Sequence, residues 1–477
     1  MAQESATDAK LRELSEQIER MRVASDRQLA QLQEQQKQLD ALRSAVLAPT
    51  PPPPPIPGVV PISRGVAPTP LTTPVPAANE PAPEFVMKGS LPGSFRVPGT
   101  DTSIKVGGFA RLDVVKDFGG GANGAIMIPS LIPFAGSAQS TRKGYFNENA
   151  RQSRLYVRTQ TDTGYGPVNT LIEGDFIGAG GNETVTNSSA FRVRQAYVEV
   201  GPLLAGQTWT NFVDLYSYPE TIDFAGGQGN VQGIRDAQLR YTQRWGTTQQ
   251  LSVALENPES DIFGTVATTE SAASSPTSAT TLDTAPDVNA RYVFSGDWGR
   301  ISLGAMARHL VFNNTGGAAI NGFVGGAGVT AYQWAVQGKV NTFGKDSIQY
   351  SLASGAGIGR YLLGSVNNTA AVIENGELKA ISERGLTASY QHFWTPTLRS
   401  NLVYGVVKLD LPHPYVPLTT PSKVSAIFAN LIWSPVPGSL IGLEWERGMI
   451  ENDSVATATL SNHGSNNRLL TSFQYGF

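Results

Sequence analysis

Sixteen stretches of this chain alternate apolar and polar residues with the period of two that belongs to β-strands, and the connections between them alternate in length. The stretches run over 102–114, 151–162, 167–177, 190–200, 203–210, 234–244, 249–257, 287–296, 299–312, 329–342, 346–354, 384–395, 397–410, 422–434, 438–450 and 467–477. Short connections are tight turns near Gly164, Gly201-Pro202, Gly246-Thr247, Gly296, Gly344, Thr395-Pro396-Thr397 and Gly438. Long ones, such as 115–150, 211–233, 258–286, 355–383 and 451–466, are rich in Gly, Ser, Asn and Thr. A sandwich has no reason to gather its long loops at one end. An outer-membrane barrel does, with short periplasmic turns and long extracellular loops.

The aromatic residues agree. Trp245, Trp298, Trp394 and Trp433 lie in or beside short turns, as a periplasmic girdle requires. The last strand, ending Phe473, Tyr475, Phe477, puts its aromatics on one face and Ser472 and Gln474 on the other, the signature of a barrel-closing strand. The reading is an all-β transmembrane barrel of 16 antiparallel strands with an N-terminal α-helical coiled coil.

That coiled coil occupies residues 1–48. Leu11, Leu14, Ile18, Met21, Ser25, Gln28, Leu32, Gln35, Leu39, Leu42 and Val46 repeat at 3-4 spacing, a seam that serves only associated chains. A linker follows at 49–84, with 14 prolines between Pro49 and Pro83. Polyproline geometry lets it reach roughly 100 Å at about 3.1 Å per residue. The barrel domain is expected over 85–477, with both barrel termini on the periplasmic side.

Composition removes several alternatives. There is no Cys, so thiol nucleophiles and zinc-thiolate sites are excluded. A formal net charge of -3 without a basic run argues against a nucleic-acid partner. No stretch of about 18 apolar residues offers a transmembrane helix. MAQESA is polar from the start, so an exported protein would be represented here by its processed form. The four histidines, His309, His392, His413 and His463, show no metal-binding spacing, and no GxSxG elbow is present. No catalytic residue, metal or cofactor is expected.

The informative residues are inward arginines. In RQSRLYVRTQ (151–160), Leu155 and Val157 mark the lipid side, leaving Arg154 and Arg158 for the lumen. In FRVRQ (191–195), Phe191 and Val193 leave Arg192 and Arg194 inward; Arg111, Arg240, Arg300 and Arg308 share that parity. A charge facing lipid near mid-membrane costs about 2–4 kcal/mol, so inward placement is preferred. Guanidiniums along one wall attract anions and hold carboxylates bidentately. Against this stands the alternative that they pair with inward Glu173, Asp175 or Asp236. The third long loop carries Asp214, Tyr216, Tyr218, Glu220 and Asp223 and is the constriction candidate, an acidic and aromatic lip facing the arginines if it folds inward; the alternative is a loop folded outward over the mouth.

FRVPGTDTSIKVGGFARLD (95–113), FRVRQAYVEVGPLLAGQTWTNFVD (191–214), the heptad helix, the Pro-rich linker and the terminal aromatic strand together resemble the DcaP-like trimeric porins of Gram-negative bacteria. The resemblance implies a homotrimeric sixteen-stranded channel in the outer membrane, its coiled coil in the periplasm. It also implies passive uptake of small anions, notably dicarboxylates such as phthalates, through an eyelet of Arg154, Arg158, Arg192 and Arg194 helped by Arg111 and Arg240. Expected partners are outer-membrane lipid and lipopolysaccharide, small anionic solutes, and peptidoglycan or another periplasmic contact through the coiled coil. A trimeric surface adhesin or envelope anchor is the alternative, disfavoured because trimeric autotransporters contribute only about four strands per chain. A barrel enzyme would show itself by a lumenal group of perturbed pKa.

Overall fold

A computed structural model describes residues 87–120, 124–178, 187, 189–263, 281–314, 319–365, 370–412, 415–417, 420–453 and 460–477. The coiled-coil and linker segments at 1–48 and 49–84 lie outside the described residues. Within the rest, sixteen long strands hydrogen-bond to their sequence neighbours in antiparallel register. They are β1 (Thr102–Asp117), β2 (Arg154–Thr163), β3 (Gly166–Gly178), β4 (Ala190–Val200), β5 (Leu203–Trp209), β6 (Arg235–Trp245), β7 (Gln249–Glu256) and β8 (Asp287–Gly296). The second half contains β9 (Gly299–Asn314), β10 (Gly325–Asn341), β11 (Ser347–Ala356), β12 (Ser382–Phe393), β13 (Leu398–Leu409), β14 (Lys423–Trp433), β15 (Ser439–Glu451) and β16 (His463–Gly476).

The ring closes where β16 pairs with β1, Phe473 opposite Leu112 and Tyr475 opposite Ala110. Phe477 and Gly108 then exchange two backbone hydrogen bonds of 3.0 and 3.2 Å. Closure leaves these sixteen strands without a free edge, the condition for spanning a bilayer with strands. Phe473, Tyr475 and Phe477 all project outward and exposed, as the terminal pattern implied. Trp245, Trp298, Trp394 and Trp433 are likewise exposed beside the short turns.

Several strands extend past the sequence-based boundaries at the long-loop end. β1 continues to Asp117, β10 begins at Gly325, and β16 begins at His463. Backbone pairing there outlasts the apolar alternation that marks the membrane band. β2 starts later than expected because Ala150–Ser153 forms a turn, with Ser153 N–H on the Ala150 carbonyl at 3.0 Å.

The interior departs from a uniformly polar lumen. Along β9–β15, inward positions include Met306, Ala335, Ala353, Val407, Val424 and Ile450, all buried. Ile132 and Phe134 of the first long loop, Phe212, Val213 and Val231 of the third, and Ile358, Tyr361 and Leu362 of the sixth pack against them in one apolar cluster. Loops that enter a barrel need an apolar bed to offset the entropy of ordering them. These strands supply it. Gly405 on β13 admits the third loop, since a Cβ there would collide with the Gln228 carbonyl.

Candidate functional site

The opposite wall, β1–β6, keeps charged residues inward. Leu155, Val157, Ile172, Phe191 and Val193 are exposed on the outer face. Glu173 and Asp175 of β3 therefore face the lumen between the arginines of β2 and β4. Simple alternation along β4 would not place Arg192, Arg194, Tyr197 and Glu199 on one side, because the parity changes. The structure resolves this with a β-bulge: Glu173 pairs with Gln195 while Gly174 pairs with Val193, leaving Arg194 as the extra residue. Arg194 and Gln195 then both reach inward, the re-aiming that bulges provide.

Each arginine has a distinct environment. Arg192 grips Asp175 bidentately, Nε to Oδ1 at 3.1 Å and Nη2 to Oδ2 at 3.0 Å. Arg194 donates to Glu173 at 2.9 Å and to Asp175 at 2.6 Å and is only 2% exposed. Arg154 approaches Glu173 at 3.7 Å and lies over the Phe109 ring at 5.1 Å. Arg111 is taken up by Asp113 at 2.8 Å, the Ile222 carbonyl and Ser472. Three of the arginines read as solute ligands, Arg111, Arg192 and Arg194, are thus engaged by carboxylates, Arg194 the most deeply buried of them.

Others are under-paired. Among the described residues, Arg158, Arg235 and Arg240 make no carboxylate ion pair within 4.0 Å, and the Arg235 Nε has no hydrogen-bond partner. Arg158 and Arg240 flank Tyr197, with Glu199 nearby. Arg235 stacks on Trp209, guanidinium carbon to ring centroid 3.7 Å, within electrostatic reach of Arg194, Arg192 and Arg154. The guanidiniums therefore fall in two tiers. Arg154, Arg192, Arg194 and Arg235 form the tier at the third loop; Arg158 and Arg240 form one nearer the short turns. Four residues of strand, Arg154 to Arg158, separate the tiers by about 13 Å.

Sequence reasoning missed Arg235. It shares its parity with outward Leu239 and Tyr241, and only its place at the first residue of β6, opposite Trp209, turns it to the ring. Phe224 was missed as well; its ring lies 5.3 Å from the Arg194 guanidinium and 5.8 Å from that of Arg192. No periodicity in a loop announces such a contact.

The third loop, 210–234, does fold into the barrel. Its root is fixed by Glu256, which accepts from Thr210 Oγ1 and Asn211 N–H, each at 2.6 Å. Farther along, Glu444 accepts from the N–H groups of Ile222 at 2.9 Å and Asp223 at 2.7 Å. Tyr218 donates to the Val231 carbonyl at 2.9 Å and accepts from Gly233 N–H, stapling the loop to itself. Burial pushes its phenol up to about 12, so it remains a neutral donor.

The loop's acids do not face the arginines of β2 and β4. Asp214 accepts from Arg300 of β9 at 2.7 Å, and Glu220 from Arg399 of β13 at 2.6 Å. Asp223 accepts from Met127 N–H at 2.9 Å and lies 3.8 Å from Arg468 of β16. Burial raises the Asp223 pKa, while Arg468 and the backbone N–H groups of Met127 and Ala225 pull it down. The expected acidic lip is instead a set of anchors: a buried carboxylate finds a cation or a donor on the nearest wall. Tyr218 is packed away, and of the five residues Tyr216 is the one that stays open, 61% exposed over Arg300 at 4.5 Å.

A closed ring of sixteen strands narrowed by an inward third loop defines an outer-membrane barrel of the porin class. Comparison with known proteins carries this to a family. Residues 94–470 match the family described as DcaP outer membrane protein, and the chain belongs to that family. The outer membrane channel DcaP of Acinetobacter baumannii shares the fold with a TM-score of 0.66 at 22% identity, over 81% of this chain and 100% of that one. An anion-selective porin from Comamonas acidovorans aligns with a TM-score of 0.51 at 12% identity, over 79% of this chain and 100% of that one. No curated protein matches the chain by sequence.

Proposed function

We propose that this chain is a passive-diffusion porin selective for small anionic solutes, with dicarboxylates such as phthalates as favoured cargo. The observation that carries the reading is the incomplete pairing of the basic wall: Arg158, Arg235 and Arg240 have no carboxylate within ion-pair distance among the described residues. An anion entering from the long-loop end meets Arg154, Arg192 and Arg235 beside Phe224 and Trp209, then Arg158 and Arg240 beside Tyr197. Arginine holds carboxylates bidentately and an adjacent ring face suits a planar solute, so an aromatic dicarboxylate uses both features. Two tiers offset the problem of a single tight site, because a solute can be passed on rather than trapped.

Assembly as a homotrimer, with the 1–48 coiled coil in the periplasm, belongs to the same proposal. Reversal potentials across planar bilayers in a salt gradient test the selectivity. Anion preference in the wild type, shifted toward cations by Arg154→Ala plus Arg158→Ala, is the expected result; an unchanged reversal potential would sink the arginine wall. Removing residues 1–48 should leave trimers held by the barrel walls, and monomers would show that the helix is required.

A further inference from the structure

A second cationic feature lies on the outer surface, at the long-loop end of β12–β16. Register places Arg384 opposite Lys408, Lys408 opposite Lys423, Lys423 opposite Glu451, and Glu451 opposite His463. These positions share the parity of exposed Leu402, Leu431 and Leu443, so the row faces the membrane rather than the lumen. Arg447 lies two outward positions below Glu451 on β15, toward the apolar band. Lys408, Lys423, Arg447, Glu451 and His463 line a groove of about 610 Å³.

Three cations side by side on consecutive strands repel one another, and like charges directly opposite destabilise a sheet. Local acids relieve only part of this. Arg384 pairs with Asp410 at 3.3 Å and Lys423 with Glu451 at 2.8 Å, and Asp410, Glu451 and Asp453 all line the groove beside Lys408, Lys423 and Arg447. Among the described residues Lys408 and Arg447 have no ion-pair partner. Beneath them Leu443, Trp445 and Leu469 are exposed and apolar. An anionic head above an apolar bed is the imprint of an amphiphile, since a free anion would have no use for the bed.

We propose that this groove binds a phosphorylated lipid of the outer leaflet, its phosphate held by Lys408 and Arg447 and its acyl chains lying over β14–β16. Native mass spectrometry of the full-length protein with bisphosphorylated lipid A tests it. Lys408→Gln plus Arg447→Gln should retain roughly tenfold less lipid A, as expected for loss of charge-assisted contacts. Retention of phosphatidylethanolamine should not change, and excess inorganic phosphate should not displace lipid A. Equal retention by variant and wild type overturns the site; displacement by inorganic phosphate overturns the lipid and assigns the groove to a free anion. Should the double variant fail to fold, wild-type protein offered dephosphorylated lipid A reads the same contact, and equal retention of the two lipids overturns it.

Discussion

Inward arginines on the two halves of this barrel are paired with carboxylates to different extents. On β8, β9, β13 and β16, Arg291, Arg300, Arg308, Arg399 and Arg468 clamp acids that belong to loops or neighbouring strands. On β2 and β6, Arg158 and Arg240 are left without ion pairs among the described residues. Parity decides whether a charge faces inward. Whether it holds the structure or meets a solute depends on what the loops bring to it. The packed half immobilises its cations with carboxylates of loops and neighbouring strands, while the β2–β6 wall leaves some of its charge unpaired, which on the proposed function serves anions.

The comparison breaks most visibly on stability. Arg308→Met would take away the guanidinium that lies 3.1 Å from Asp287 and 3.3 Å from Asp261, leaving Arg360, 3.6 Å from Asp287, to compensate both acids alone. A loss of about 3 kcal/mol, the low end for breaking a buried pair, is expected, read as a lower temperature for conversion of the folded barrel on a gel. Arg158→Gln should leave that temperature unchanged; an equal drop would erase the distinction between the halves. Phe212→Ala, in the apolar cluster, should also cost about 3–5 kcal/mol and make single-channel conductance noisier as the third loop loosens. Arg158→Glu should lower anion preference severalfold while Arg399→Gln barely alters it, as measured by reversal potential.

Smaller effects sharpen the picture. Phe224→Ala should weaken an aromatic dicarboxylate's block of ion current by about 0.5–1 kcal/mol, the worth of an exposed ring contact. Least of all, the Asp346 turn should show a pH signature. Hydrogen bonds from Tyr390, Phe393 N–H and His392 hold the Asp346 carboxyl down at about 2, below its ordinary 3.8. A depressed acid stabilises fully above its unfolded value, so the turn should keep its hydrogen-exchange protection above 3.8 and lose it toward about 2. Asp346→Asn should remove that dependence.

Strand number, closure and facing were legible because each strand must satisfy lipid on one side. Leu155 and Val157 alone settle the direction of Arg154 and Arg158. The loops were legible only in part. The third offered acids and aromatics suited to a constriction but left open whether it enters the barrel, and the partners of Asp214, Glu220 and Asp223 lie 86, 179 and 245 positions away, at Arg300, Arg399 and Arg468. No local pattern encodes such a distance. The apolar inner faces of β9–β15 carry no local mark either, since only the loops packed on residues such as Val407 and Val424 account for apolar side chains inside the ring.

The bulge at Arg194 has a consequence for how this wall can change. Removing one residue from a strand ordinarily inverts the facing of everything beyond it. Here excision of Arg194 would restore regular alternation, with Val193 out, Gln195 in and Ala196 out. The guanidinium that joins Glu173 to Asp175 is therefore a detachable insert, a charge the wall can gain or lose in one edit without rewriting its neighbours.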